Sequence, residues 1–284
     1  MVNRPGKWAV GSNQYLKRPR PGRDEPQDVH LSAPVDPVER HAQRDALGIT
    51  FDHFDVDGIK PSGTDRARAR FRARLPDLVW NAAALEGNTF TLPDVRTLLE
   101  GGTVGGRTRF EQDQVLALSE AYNELDEMVA DGTFIMSKDT SDRLHGLLAR
   151  HEAIESGHFR GEGDVTGGGS VRLASGGTVE GIEHGAGGAD LMARYEGMVE
   201  YLNTVADPRK RALIYFASAT RAQFYFDGNK RTARLMASGI LMSSGYDTVN
   251  VPVARKLEFN LALDELFSTD EATMLLRFLA DCTD

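Results

Sequence analysis

The segment Asp227–Arg234 combines residue types that bind anions. Its eight residues include one acid, one glycine, one amide and three cations. The pattern predicts a loop that opens a helix, with Asp227 as the N-cap and Gly228 allowing the backbone to approach a ligand closely. Because a helix N-terminus carries unpaired N–H groups and about half a positive charge, this turn is a predicted anion site.

Charged side chains of the same segment could add to this site. Arg231 and Arg234 are three residues apart, so a helix would place both guanidinium groups on one side of its first turn, where they could bind neighbouring phosphates. Asp227 is placed to hold a divalent cation between phosphate oxygens. In the alternative interpretation, Asp227 only caps a helix whose cations face solvent, and spacing by itself leaves both interpretations open.

The segment resembles the signature of the Fic family, His-x-Phe-x-Asp/Glu-Gly-Asn-Gly/Lys-Arg-x-x-Arg, and every defining position from Asp227 to Arg234 matches. Its start differs, because Gln223 occupies the histidine position and Phe224 and Tyr225 follow where the family usually has proline and phenylalanine. In the family, this histidine accepts the proton of a target hydroxyl whose oxygen attacks a phosphate, typically the α-phosphate of ATP. A glutamine amide cannot serve as a general base near neutral pH, and losing the base costs on the order of 10²- to 10⁴-fold in rate.

The resemblance also implies roles for single residues. Asp227 would bind Mg²⁺, while Gly228, Asn229 and nearby backbone N–H groups would hold a phosphate of ATP or another nucleotide. Lys230 stands where some Fic and Doc proteins also have lysine instead of glycine. The expected catalytic group is Gln223, Asp227, Asn229 and Arg231, and the expected phosphate-binding group is Gly228, Asn229, Lys230, Arg231 and Arg234.

A predicted helix upstream, over about residues 77–88, ends at Glu86-Gly87. A glutamate at a helix C-terminus interacts unfavourably with the helix dipole, so it favours a cationic partner. The helix end resembles the inhibitory motif Ser/Thr-x-x-x-Glu-Gly/Asn of many Fic proteins, with Ala82 in the Ser/Thr position. The resemblance implies that Glu86 is inhibitory and pairs with Arg234, which would otherwise hold the γ-phosphate.

A glycine-rich segment, about residues 164–182, is the predicted flap. Val171–Ser175 and Thr178–Glu180 flank Gly176-Gly177, a pattern that predicts a β-hairpin with a two-residue turn. It follows Gly157–Arg160, which resembles the Gly-x-Phe/Tyr-Arg element that precedes the flap of Fic proteins. In the family the flap docks a target segment by strand addition, so a protein target is an expected partner; an ordinary surface hairpin is the alternative.

Helical periodicity outside the flap predicts a mainly α fold, and the family resemblance implies a Fic-type helical bundle with a small β-hairpin. Residues 63–284 form the expected Fic-like domain. Residues 1–62 lack a sustained apolar period and are rich in Pro, Arg, Asp and Gly, so they are expected to be an extension that is weakly ordered or packed on the core. Further helices are predicted at Thr91–Glu100, Phe110–Ala130, Ser137–Arg150, Ala189–Thr204, Pro208–Ala222, Ala254–Leu266 and Asp270–Ala280.

Composition limits the partners and the compartment. The chain has 284 residues and a formal net charge of −9, so nucleic-acid binding is not expected, although the first 23 residues are locally basic. No apolar run is long enough to span a membrane, and the single cysteine, Cys282, is predicted to be a bystander. A cytoplasmic protein is the expectation, with delivery into another cell not excluded, and the oligomeric state is left open.

Three functional hypotheses follow from the intact phosphate-binding half and the missing base. The chain could be a transferase that moves AMP or another phosphate-linked group to a hydroxyl without the usual histidine. It could be a non-catalytic module that binds a nucleotide as a signal. It could also be a phosphodiester hydrolase in which Glu86 activates water, the reverse reaction described for some Fic proteins that have the inhibitory glutamate.

Overall fold

The computed structural model describes residues 35–282, and this part of the chain is mainly α-helical. It contains eleven α-helices and one antiparallel two-stranded sheet, which confirms the predicted fold class. Among residues 35–282, none of the helices has the length and hydrophobicity needed to span a membrane. The basic segment 1–23 lies outside the described residues.

The helices and strands follow in this order: α1 Pro37–Leu47, α2 Thr64–Ala73, α3 Leu75–Leu85, α4 Leu92–Leu99, α5 Arg109–Ala130, α6 Lys138–Leu148, β1 Val171–Arg172, β2 Thr178–Val179, α7 Ala189–Thr204, α8 Pro208–Ala222, α9 Asn229–Ser243, α10 Lys256–Thr269 and α11 Thr273–Ala280. Short 3-10 turns precede α7 and α10.

Capping residues start several of these helices where the sequence predicts a boundary. Thr91 opens α4 with a capping box, and Asp207 accepts the N–H of Arg209 at the start of α8, with Pro208 in the first turn. Pro76 in the first turn of α3 separates it from α2, because proline is tolerated there and not inside a helix. Helices α10 and α11 begin two and three residues later than predicted, since Ala254 belongs to the 3-10 turn and Asp270 has a left-handed φ of 60°.

Helices α8 and α9 form the centre of the bundle and pack extensively against each other. Most residues of α9 are buried, including its polar and charged first turns, so this helix is surrounded by protein on nearly all sides. Helix α8 buries an almost continuous run from Ala212 to Ala222. A helix that is buried all round fixes its ends firmly, so the loop that joins α8 to α9 starts from a rigid base.

Part of the predicted N-terminal extension belongs to this core. Residues 1–34 lie outside the described range, whereas α1 and the segment after it bury Leu47, Ile49 and Phe54 in the same hydrophobic cluster as the bundle helices. Thr50 joins the opposite end of the chain, because its N–H donates to the Asp270 carbonyl at 2.7 Å and its carbonyl accepts the Ala272 N–H at 2.8 Å. The domain boundary at residue 62 stays a prediction.

The β-hairpin is shorter than predicted. Only two residues of each strand pair, Val171 with Val179 and Arg172 with Thr178. The chain reverses over residues 173–177 instead of through Gly176-Gly177 alone, and the N–H of Leu173 donates to the Gly177 carbonyl at 3.2 Å. The prediction of a two-residue turn is therefore wrong. A carboxylate of α10 accepts hydrogen bonds from this longer loop, as described below.

The close packing of α9 leads to a stability prediction. A Cβ at Gly239 would lie 2.1 Å from a ring carbon of Phe134, so Gly239→Ala overpacks the core. We expect a net loss of about 1 to 2 kcal/mol in the free energy of unfolding, measured by urea denaturation, after allowing about 1 kcal/mol for the better helix propensity of alanine. Gly58→Ala is the control, because a Cβ there meets no atom within 4 Å. An unchanged stability of Gly239→Ala would contradict the close contact.

Candidate functional site

The loop between α8 and α9 is closed by one side chain, that of Asn229. Its Oδ1 accepts the N–H of Tyr225 at 2.9 Å, and its Nδ2 donates to the Tyr225 carbonyl at 2.8 Å and to Oε1 of Gln223 at 3.1 Å. The loop begins and ends with left-handed residues, Gln223 at φ 51° and Gly228 at φ 73°. These contacts fix the loop to the helix that follows it.

The start of α9 differs from the predicted one. The N-cap is Gly228, not Asp227, because the Asp227 carboxylate accepts the N–H of Gly228 at 2.6 Å and is not aligned with the first helical turn. The N-cap glycine has no side chain that could accept the first N–H groups of α9. Among the described residues these groups therefore have no side-chain acceptor, which leaves them available to an anion.

A cavity of about 290 Å³ opens in front of this helix end. The end of α3, the hairpin, the α8–α9 loop and α10 all contribute to its wall. The lining residues are Glu86, Ser170, Val171, Arg172, Gln223, Phe226, Asp227, Gly228, Asn229, Lys230, Arg231 and Phe267. Of the residues predicted for the site, only Arg234 is outside this lining.

The amide of Gln223 is held by two neighbours. Its Nε2 donates to the carbonyl of Thr220 at 2.6 Å, and its Oε1 accepts from Asn229. The residue lines the cavity but is only 9% exposed. An amide in this position closes the end of α8 and has no lone pair of sufficient basicity to accept a proton from a hydroxyl.

Asp227 presents its carboxylate to the cavity, with 62% of the side chain exposed. Mg²⁺ is commonly bound through one or two carboxylates together with substrate phosphates, so a single accessible aspartate beside an open helix N-terminus fits this ion. Among residues 35–282, no group of three or more His, Cys, Asp or Glu side chains could hold a metal ion without such help. A magnesium site at Asp227 stays a prediction.

Two of the cations on α9 are already paired with carboxylates. Nζ of Lys230 lies 2.9 Å from Oε2 of Glu86, at the end of α3. Arg231 is almost completely buried and binds Glu152, which follows α6, and its other nitrogen lies 3.5 Å from Asp227. The cavity therefore has internal counter-charges for both cations.

The Glu86 pair differs from the predicted one. Burial favours a higher pKa for the Glu86 carboxyl, but the charges of Lys230, Arg231 and Arg234 outweigh it, so that the pKa is lowered and the group is ionised. Its Oε2 binds Lys230, and its Oε1 has no hydrogen-bond partner among the described residues. Lys230 replaces Arg234 as the partner because it lies in the first turn of α9, directly opposite the helix end that carries Glu86.

Arg234 lies one turn further along α9, inside the core. It is 3% exposed, and within the described part of the chain its three guanidinium nitrogens make no hydrogen bond of regular geometry, although the Tyr122 hydroxyl is a neighbour. Its guanidinium is 6.0 Å from the centre of the Phe259 ring. Burial raises the pKa of the neighbouring Tyr122 hydroxyl, and the charge of Arg234 opposes this rise.

His145 supports the loop from behind. Its Nδ1 accepts the N–H of Gly157 at 2.8 Å, so the other ring nitrogen carries the proton and donates to the Asp227 carbonyl at 2.9 Å. The ring stacks on Tyr225 with the centroids 3.7 Å apart. Burial, which is complete, is the main cause that lowers the pKa of His145 from 6.5 to about 4, with a further contribution from the Arg231 charge.

Arg160 connects the loop to the flap. Its backbone N–H donates to the Phe224 carbonyl at 2.8 Å, and its guanidinium donates to carbonyls of Gln223 at 2.7 Å, Gly168 at 2.9 Å and Ile182 at 2.8 Å. Residues on both sides of the hairpin are thereby held to the α8–α9 loop. Burial lowers the pKa of the Arg160 guanidinium, but an arginine remains charged at any physiological pH.

The tip of the hairpin is held separately, by Asp264 of α10. The two carboxylate oxygens accept the N–H groups of Ala174 and Ser175 at 2.9 and 2.7 Å. Hydrogen bonds from this turn lower the pKa of Asp264 despite its partial burial. The flap is therefore attached at its base by Arg160 and at its tip by Asp264.

Several of these residues were not predicted from the sequence. Arg160 lies in the Gly157–Arg160 element, which the family resemblance indicated without its contacts. Glu152 and Asp264 have no motif around them, because an isolated acid in sequence gives no sign of the partner that it meets in the fold. His145 lies in the predicted helix Ser137–Arg150, and its contact with Asp227 is visible only in the structure.

Comparison with known proteins gives consistent results. The chain is 27% identical over 253 residues to a protein adenylyltransferase Fic of Drosophila erecta, covering 88% of this chain and 48% of that protein. It is 28% identical over 209 residues to the protein of the same name from Drosophila willistoni, covering 72% and 39%. The chain thus spans about half or less of the length of these relatives. A scan of protein-family models gives no match.

Two solved structures share the fold. A Fic domain containing signaling protein from Bacteroides thetaiotaomicron superposes with a TM-score of 0.63 and 19% identity, covering 80% of this chain and 88% of that one. Fic-1 from C. elegans superposes with a TM-score of 0.60 and 22% identity, covering 77% and 67%.

The buried His145 predicts a pH dependence of stability. The folded pKa is lowered, so between pH 6.5 and about 4 the unfolded chain binds a proton that the folded chain does not. The free energy of unfolding therefore keeps its full value above pH 6.5. It decreases as the pH falls towards 4, by at most about 3 kcal/mol. We expect His145→Gln to reduce the slope of unfolding free energy against pH in this range, measured by urea denaturation. The exposed His151→Gln is the control, and equal slopes in the two variants would contradict the prediction.

The Asp264 contacts predict a local effect on the flap. Asp264→Ala removes two charge-assisted hydrogen bonds, so hydrogen exchange at residues 173–177 should accelerate by at least about tenfold, with no change in the amides of α8 and α9. Glu265→Ala, which removes the next acid of the same helix, is the matched control. Exchange that stays slow in Asp264→Ala would show that the hairpin tip is held by other contacts.

Proposed function

Because its sequence similarity and its fold make this chain a Fic-domain protein, we propose that it is a transferase. It moves AMP or another phosphate-linked group from a nucleotide to a hydroxyl, with a reaction that has diverged at the catalytic base. The observation that carries the proposal is the uncapped start of α9, which faces the cavity together with the exposed carboxylate of Asp227. The names of the Drosophila relatives support protein adenylylation as the reaction class.

In the proposed mechanism, the N–H groups of Asn229 and Lys230 at the start of α9 bind a phosphate of the donor, while Gly228 lets the backbone approach it and keeps its own N–H on Asp227. The helix dipole and the Arg231 charge stabilise the negative charge that develops during transfer. Asp227 would hold a Mg²⁺ ion, which neutralises phosphate charge when bound. The side chain of Asn229 acts indirectly, because its hydrogen bonds fix the loop in which Gln223 and Asp227 lie.

Glu86 restrains this site by competing for a cation. Its carboxylate forms an ion pair with Lys230, and Lys230 cannot contribute fully to phosphate binding while that ion pair persists. A nucleotide that carries more negative charge competes better for the ammonium group than a less charged one. We therefore propose that Glu86 lowers nucleotide affinity in the resting protein, through Lys230 in this chain.

The second candidate is a module that binds a nucleotide without turning it over. The hydrogen bonds of the Gln223 amide favour this candidate. Its Nε2 donates to Thr220 and its Oε1 accepts from Asn229, so the side chain stabilises the end of α8 instead of facing a substrate. The third candidate, a hydrolase in which Glu86 activates water, is less favoured, since the lowered pKa of Glu86 weakens it as a base. A protein target docked on the hairpin and a cytoplasmic location remain part of the proposal for the transferase.

The test is nucleotide binding by calorimetry, on the wild type and on Glu86→Gly. The ligands are ATP, the other nucleoside triphosphates, CDP-choline and a nucleotide sugar, each with Mg²⁺. Because Glu86→Gly frees Lys230, we expect the affinity to rise by about tenfold or more, and Asp227→Ala to lower it. Glu100→Gly is the matched control, since Glu100 ends α4 with nearly the same backbone angles as Glu86 at the end of α3.

Turnover then separates the candidates. The transferase predicts labelled product that increases in Glu86→Gly and in Gln223→His. The hydrolase predicts that Glu86→Gly abolishes turnover, and the binding module predicts no turnover in any form. No binding of any ligand by either protein would show that the α9 start is only a structural remnant.

A further inference from the structure

Ser170 and Glu180 face each other at the base of the hairpin. The register pairs Val171 with Val179, so the next residues outwards, Ser170 and Glu180, are opposite one another. The hydroxyl of Ser170 donates to Oε2 of Glu180 at 2.7 Å. Ser170 also lines the cavity that contains Asp227 and the start of α9. The chain thus has its own hydroxyl at the phosphate site, already bonded to a carboxylate.

This pair supplies what Gln223 cannot. A hydroxyl that attacks phosphorus must lose a proton, and the transition state of phosphoryl transfer is loose enough that a carboxylate suffices as the acceptor, as the aspartate of protein kinases does. We propose that Ser170 is the hydroxyl acceptor of the transferase and Glu180 its proton acceptor, so that the chain modifies its own flap. The inference rests on the proposed function and assigns its acceptor.

The step balances without another reactant. Oγ of Ser170 forms a bond to the α-phosphorus of a nucleoside triphosphate, and the bond from that phosphorus to the bridging oxygen breaks. Pyrophosphate leaves with the electron pair, and the proton of the Ser170 hydroxyl moves to Glu180. The product is a phosphodiester that joins Ser170 to a nucleoside monophosphate.

The backbone around this pair is fixed, which favours an intramolecular reaction. Gly168 and Gly169 precede Ser170 at left-handed φ angles of 76° and 86°, and a Cβ at Gly169 would lie 2.5 Å from the guanidinium carbon of Arg160. Arg160 binds the carbonyls of Gly168 on one side and Ile182 on the other side of the pair. A hydroxyl held next to its target reacts with a high effective concentration.

The neighbouring residue on β1 adds a charge for the donor. Arg172 lines the same cavity, two residues after Ser170, and its side chain is exposed there. A guanidinium on the flap binds phosphate oxygens in two-point contacts. The flap therefore contributes the hydroxyl, its carboxylate and a phosphate-binding cation, while α9 contributes the helix end.

The experiment incubates the full chain and its Glu86→Gly variant with ATP and Mg²⁺, follows the intact mass, and maps the modified peptide. We expect one adenylate per chain on Ser170, at a rate independent of protein concentration. Ser170→Ala should abolish the adduct, Ser170→Thr should retain it, and Glu180→Gln should slow it by about 100-fold or more. Ser175→Ala, a serine at the turn of the same hairpin, is the control and should react as the unmodified chain does.

Calorimetry with ATP on the same samples separates this inference from the proposed function. Binding without an adduct, or an adduct that persists in Ser170→Ala, would overturn the inference and leave the proposed function intact. An unchanged rate in Glu180→Gln would show that Glu180 is only a cross-strand partner and would overturn its role as proton acceptor. Absence of ATP binding in both proteins would overturn the inference together with adenylyl transfer from ATP.

Discussion

The hydrogen bonds of the Asn229 side chain are the constraint on which the site depends. This one amide joins the first residue of α9 to Gln223 and Tyr225, so the loop between the two central helices is bonded to the helix that follows it. Arg160 binds the carbonyl of Gln223 in that loop and also binds carbonyls on both sides of the flap, so it connects the flap to the loop. A buried amide with all its partners in place is expensive to break, because each unpaired group would cost about 1 to 3 kcal/mol. The cavity wall is therefore held by hydrogen bonds that begin in the core. The flap is held indirectly, through the contacts of Arg160 with the loop.

Two of the cations that line the cavity are paired with acids from different parts of the chain. Lys230 is paired with Glu86 at the end of α3, and Arg231 with Glu152 after α6. Gln114 of α5 donates to Glu152 at 2.7 Å and accepts from Asn88, two residues after Glu86, so side-chain hydrogen bonds connect Glu152 to the segment that follows α3. The charges of both acids act on Arg231, which binds Glu152 directly. Binding of an anion at the start of α9 would thus be felt at the end of α3 as well as in the first turn of α9 itself.

The sequence predicted the fold class and the position of most helices, because periodicity and capping residues act locally. Thr91, Asp207 and Pro208 begin their helices in the expected way. The start of α9 next to the charged segment was also predictable, but its N-cap was not, since the choice between Asp227 and Gly228 depends on which N–H group the Asp227 carboxylate meets in the folded loop. Long-range pairs were not predictable from the residues, because nothing in the sequence connects Glu86 with Lys230 or the hairpin tip with α10. The family resemblance connected Glu86 to Arg234, one turn further along α9 than its partner Lys230.

The buried guanidinium of Arg234 has a consequence for how long the protein survives. A guanidinium inside the core whose nitrogens make no regular hydrogen bond among the described residues is a cost to the folded state, of about 1 to 3 kcal/mol for each polar group left unbonded. Any anion that reached Arg234 would bind the folded chain and not the unfolded one, and would reduce the fraction that unfolds. Proteases degrade mainly that unfolded fraction. The abundance of the protein would then rise and fall with the supply of its anionic ligand, even where no gene is induced or repressed.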